Sequence, residues 1–210
     1  MPRPSRILVS DFEVSERVVT EYQGIMRQQP SVKDPVERER QLANEVKDPL
    51  AEELVDGVRA LGFTVERVSR GTTATENDLL IDGQFLAVDE GNPLRRLVIG
   101  FGHGSSLVKT RVQVYQGSDA RKLLEFTTRS DSGNLPGAAP TMAAGAAVQG
   151  GVTAGMVVAN AGVSGVKTYK SDVARMAAAS GDQVVRYLSE FCAQRGWIRS
   201  DQVRKARIAY

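Results

Sequence analysis

The chain reads as an α+β domain: a mixed, mainly antiparallel sheet with two amphipathic helices packed on one face. Three observations in its 210 residues predict this. Short apolar, β-branched runs recur between residues 63 and 130, one of them in strict period-two alternation. Two other stretches space their apolar residues with helical period, one before those runs and one after. The resulting order, strand, helix, a block of strands, helix, segregates the helices from most of the strands.

ILVSDFEV (7–14) is a compact apolar run and predicts a buried strand. A polar, helix-tolerant insert follows at about 15–47. Asp34-Pro35 and Asp48-Pro49 each have the form of an N-cap with proline at the first helical position, where its missing N–H is not needed. The second pair is expected to open an amphipathic helix in which Leu50, Leu54, Val55, Val58 and Leu61 share one face, with Gly62 as its stop.

FTVERVS (63–69) and DLLIDGQFLAVDE (78–90) predict the next strands. Residues 95–116 predict a strand, a glycine-rich interruption and a clearer strand. In the latter Val108, Thr110, Val112 and Val114 alternate with Lys109, Arg111, Gln113 and Tyr115, as one covered and one wetter face require. KLLEFTTRS (122–130) comes after a QGSDA turn and completes an antiparallel hairpin. SDVARMAAASGDQVVRYLSEFCAQRG is a capped helix with Val184, Tyr187, Leu188 and Phe191 as its buried stripe and Gly196 as its stop.

Between that hairpin and that helix lies a run without a charge, Ser132 through Val166, inserted as a Gly/Ala-rich helical hairpin or a loop. Ala139, Ala143, Ala147, Gly151, Gly155 and Ala159 recur at every fourth position, so on a helix they form a smooth strip for close packing, against another subunit or a membrane. A helix from 139 to 159 is long enough to span a bilayer, but its glycines and its lack of Leu and Ile make a lone span marginal. A flexible loop is the competing reading.

Composition bounds the rest. With 25% charged and 41% hydrophobic residues the chain is ordinary globular material, read as one domain, 1–210, carrying the two inserts. A net charge of +2 argues against a nucleic-acid partner. Cys192 is the single cysteine, beside Leu188 and Phe191, and is expected to be a buried structural thiol. Arg195, Arg199, Arg204, Lys205 and Arg207 against Asp201 read as a solvated, frayed end. MPRPSRILVSDF has no charged-then-apolar leader, which keeps a cytoplasmic location open.

No catalytic residue, metal set or cofactor is assigned. GFGHGSS (100–106) lacks the lysine of a phosphate loop and precedes a strand, so it reads first as a bend. His103, the sole histidine, has no ligand-like spacing around it. Asp82, Asp89 and Glu90 are expected to be solvated or turn-forming acids. A binding reading remains for the bend: Gly100, Gly102, His103, Gly104 and Ser105, with Arg95 and Arg96 at hand, would suit a small anion.

RILVSDFEV, AEELVDGVRALGFTVERV, LLIDGQFLAVDEGNPLRRLVIGFGHGSSLVKTRVQVY, LLEFTTRSDSG and YLSEFCAQRGWI resemble successive blocks of a bacterial family, domain of unknown function 4410. That resemblance implies export, often as a lipoprotein, and so the periplasm or outer membrane; it brings no catalytic residues. In arrangement alone the chain is also similar to the periplasmic domain of curli secretion channel lipoproteins, which form rings that insert hairpins into the outer membrane. The function expected is a non-enzymatic envelope protein that self-associates through its Gly/Ala-rich segment, with membrane contact and other envelope proteins as further possible partners. The alternative is a soluble module binding a small anion at the Gly100–Ser106 bend.

Overall fold

The computed structural model describes residues 2–14, 35–89, 106–131, 156–160 and 171–204. Seven strands make one mixed sheet: β1 (Arg6–Ser10), β2 (Glu13–Val14), β3 (Val65–Val68), β4 (Asp78–Asp89), β5 (Leu107–Gln116), β6 (Arg121–Asp131) and β7 (Met156–Asn160). Their order is β3-β1-β4-β5-β6-β7, with β2 beside β1 on β4. The long ladders, β4 with β5 and β5 with β6, are antiparallel, whereas β1 with β3, β1 and β2 with β4, and β6 with β7 are parallel. Helices α1 (Pro35–Ala60) and α2 (Asp172–Gln194) pack on each other and on one face of the sheet. The α+β architecture expected from sequence is therefore the one observed.

The expected strand 7–14 is interrupted. Arg6–Val9 pair with Asp78–Ile81, but Glu13 and Val14 pair with Gln84 and Phe85, so four steps on one strand match three on the other. One extra residue at Asp11-Phe12 makes a bulge, and a bulge exchanges the faces of the residues beyond it. Phe12 thereby joins Ile7 and Val9 in the core, and its ring lies where a Gly83 side chain would stand. Asp11 is left outside, where it accepts from Arg67 Nε at 2.6 Å.

Helix α1 starts at Pro35, as its N1 signature predicts. Asp48-Pro49 does not open a helix: Pro49 lies inside α1, and this corrects the expectation. Proline there removes one main-chain bond, usually at a cost of about 3 kcal/mol. The apolar stripe explains why the helix continues, since Val46, Leu50, Leu54 and Val58 stand at every fourth position and are all buried. Gly62 and Gly196 end the two helices with φ of 85° and 70°, as predicted. After α2 the turn is a Schellman motif: Trp197 N–H donates to Cys192 O and Gly196 N–H to Ala193 O, both at 2.9 Å, while the Phe191 and Trp197 rings meet edge-on. Ser171 caps the other end of α2, accepting from Ala174 N–H at 3.2 Å.

The alternation expected in β5 is observed. Val108, Thr110, Val112 and Val114 are fully buried beneath the helices, together with Leu124 and Phe126 of β6. Asp82 and Asp89 differ from expectation, because they lie within β4, not at a turn, and Asp82 accepts from Ser10 Oγ. Glu90 lies outside the described residues. The basic tail is docked through Arg204 and not frayed. Arg195 stacks on Phe191, Arg199 pairs with Asp201, and Arg204 N–H donates to Ser189 Oγ at 3.0 Å. Lys205 and Arg207 lie outside the described residues. Among the described residues no helix is long and apolar enough to cross a membrane.

Candidate functional site

Both sequence hypotheses rest on segments that follow or precede strands at one end of the sheet. There β4 ends at Asp89, β5 begins at Leu107 and β6 ends at Asp131, with Asp89 opposite Leu107 and Leu107 opposite Asp131. Arg95, Arg96, Gly100, Gly102, His103, Gly104 and Ser105 lie outside the described residues, as do Ala139, Ala143, Ala147, Gly151 and Gly155. Ser106, the last residue of the GFGHGSS stretch, is fully buried. Ala159 is placed: it stands in β7, opposite Ser130 in the parallel register with β6. The last residue of the repeat thus lies in a strand, which adds to the edge of the sheet among the described residues.

Beneath this end, between the sheet and α2, polar side chains replace apolar ones. Thr110 and Thr128 share a hydrogen bond of 2.6 Å across the β5–β6 ladder. Ser130 and Ser180 share one of 3.1 Å, and Gln183 Nε2 donates to Ser130 Oγ at 2.7 Å and to Arg129 O at 3.2 Å. All five residues are at most 2% exposed, and Gln183 Oε1 has no hydrogen-bond partner among the described residues. Such a row fixes the register of helix on sheet, since a one-residue slip would strand several buried hydroxyls. The row was not read from the sequence. Its signal was present, however, because Ser180 lies four residues before Val184 on the predicted stripe and Gln183 four before Tyr187.

Beside the row, Asp182 accepts from Arg186 Nε at 2.7 Å and lies 3.7 Å from Arg204, which ties the chain end to α2. On the opposite, solvent-facing side of the sheet, Lys109 and Arg129 are register partners, and Arg111 follows two residues along β5 between Gln84 and Thr127. Arg129 has Asp131 at 3.5 Å. On the same side Lys122 and Gln113, and with them the charge of Arg111, hold the Glu125 carboxyl below its ordinary value.

Chemically this end offers neutral hydroxyls and amides inside and guanidinium and ammonium groups outside. Among the described residues no three of His, Cys, Asp and Glu converge. The Cys192 thiol is buried, and burial pushes its pKa up to about 12, so at neutral pH it is a packing group and not a nucleophile. That agrees with the reading from its sequence neighbours.

The family model for a domain of unknown function, DUF4410, matches residues 7–149 of this chain. No curated protein matches. Among solved structures, a PelC dodecamer from Paraburkholderia phytofirmans is similar with 10% identity and a TM-score of 0.32, over 58% of this chain and 65% of that one. A DUF330 protein from Xanthomonas campestris is similar with 13% identity and a TM-score of 0.39, over 92% and 88%. At such TM-scores neither likeness bears on what the chain does.

Proposed function

We propose the following reading for this chain, which belongs to the DUF4410 family: it is a non-enzymatic envelope protein, of the periplasm or outer membrane, that self-associates through its Gly/Ala-rich segment. The carrying observation is the charge-free run itself, 132–166, whose small residues permit close main-chain approach and of which 156–160 joins the sheet edge. Among the described residues that edge is uncharged, and sheet edges are commonly blunted with charge. The other edge strand has that form: Glu66 and Arg67 of β3 are held in ion pairs with Arg6, Asp11 and Asp48.

A new cysteine tests the contact, since the native thiol is buried. Ala147→Cys in the full chain, oxidised under mild conditions, is expected to give a disulfide-linked dimer. Monomer alone, at protein concentrations well above those of the cell, would count against the segment as a seam. Fractionation of cells producing the protein from its natural gene tests the location, and recovery in the cytoplasm would contradict the envelope assignment.

A further inference from the structure

We infer that residues 199–204 form a strap that swings off helix α2 as a unit, about Ile198, while the rest of the domain stays folded; this stands apart from the self-association reading. Two contacts hold the strap to α2: Arg204 N–H donates to Ser189 Oγ at 3.0 Å, and the Arg204 guanidinium lies 3.7 Å from Asp182. No residue of the strap is buried. Just before it, by contrast, Trp197 and Ile198 are 4% and 8% exposed and belong to the hydrophobic core. The chain is thus embedded up to Ile198, and beyond it the hydrogen bond and ion pair to α2 come from Arg204.

Release leaves the polar network on each side intact. On α2, Asp182 keeps Arg186, whose Nε donates to it at 2.7 Å, and Ser189 keeps its own donation to Arg186 O, also at 2.7 Å. Opening therefore orphans neither of these buried groups, and it is such orphaning that makes a buried polar contact costly to break. The strap is equally self-contained. Arg199 Nε and Nη2 donate to the two Asp201 oxygens at 3.0 and 2.8 Å, Arg199 N–H donates to Gln202 Oε1 at 2.9 Å, and Gln202 N–H donates to Arg199 O at 3.0 Å. A 3₁₀ turn, Ser200–Gln202, closed by its own bonds moves as one piece.

Magnitudes separate this motion from unfolding. One hydrogen bond between neutral groups and one ion pair at 3.7 Å favour the closed position by roughly 2- to 70-fold. Small domains favour the folded over the unfolded state by about 10³–10⁸-fold, so the strap opens far more often than the domain unfolds. Asp182, Arg186 and Ser189 stand at i, i+4 and i+7 on α2 and share one side of it. Opening presents that side to solvent, and closing covers it. Salt weakens the ion pair and so favours the open position.

Hydrogen exchange of single amides in the full chain, read by NMR, tests this. The Arg204 amide, bonded to Ser189, reports the strap, and the Trp197 amide, bonded to Cys192 O, reports the embedded chain just before it. Each taken relative to its rate in an unstructured chain, Arg204 is expected to exchange at least about tenfold faster than Trp197. Low urea should leave the Arg204 rate unchanged, because local opening exposes little surface. Arg204→Gln keeps the amide and removes the ion pair. It is expected to quicken exchange at 204 about two- to fivefold, to leave Trp197 as it was, and to abolish the acceleration that added salt gives the wild type. Equal rates and equal urea slopes at the two amides would mean that the strap opens only with the domain, and the inference fails. It fails too if Arg204 shows no protection, or if the substitution changes both amides alike or neither.

Discussion

Asp78 shows how a single side chain holds the start of the sheet. It is 2% exposed, accepts from Arg6 Nε at 3.2 Å and Arg6 Nη2 at 2.9 Å, and accepts also from Thr75 N–H and hydroxyl at 2.9 and 2.7 Å. The Arg6 guanidinium, above all, holds its carboxyl down at about 2 against an ordinary 3.8, burial working in the other direction. A carboxylate with a depressed folded-state pKa stabilises fully above its unfolded value, and that stabilisation is lost as pH falls through the folded one. We therefore expect about 2 kcal/mol to disappear between roughly pH 4 and pH 2. Asp78→Asn should remove most of that dependence, as urea unfolding at pH 7 and pH 2.5 would measure. Cys192 gives the second expectation at this scale: a maleimide at pH 7 should leave the native protein unlabelled and label it once denatured, and rapid native labelling would contradict the burial. The buried thiol was legible from its neighbours on a helical stripe. Asp78 was not, because both partners that define it, Arg6 and Thr75, are matched to it only by the parallel register of β1 with β4 and a turn.

Among the elements, local chemistry carried far where the signal was local. The glycine stops, the Ser171 cap, the hairpin turn and the two faces of β5 follow from residue type and spacing, and each is observed. Pro49 misled because a proline after aspartate has the same local form at a helix start and inside a helix whose buried stripe outweighs one lost bond. The bulge at Asp11-Phe12 was hidden for a related reason, since it depends on the partner strand leaving Gly83 open for the Phe12 ring. The pairing of the two helices is a further element-scale result. A Cβ on Gly57 of α1 would come within 2.5 Å of Val185 Cγ2 of α2. Glycine to alanine normally stabilises a helix by about 1 kcal/mol, but here the overlap dominates. Gly57→Ala is expected to destabilise by roughly 1–3 kcal/mol, with Val185→Ala restoring part of the loss in a double-mutant cycle. Simple additivity of the two changes would contradict the contact.

For the molecule as a whole, the fold class and the family were legible, and the strand order was not. Parallel addition of β3 to β1 and of β7 to β6 is fixed by long-range pairing, for which alternation within a strand carries no information. The candidate site divides in the same way. The Gly/Ala-rich run announces itself by composition, yet the buried polar row between β5, β6 and α2 and the cations on the far side of the sheet emerge only when those elements are set in register. The absolute mass of the purified full chain, with and without residues 138–166 and in the presence and absence of mild detergent, tests the central claim most directly. Self-association through the segment predicts a defined oligomer for the full chain and a lower mass on deletion. A folded monomer in every condition would contradict it.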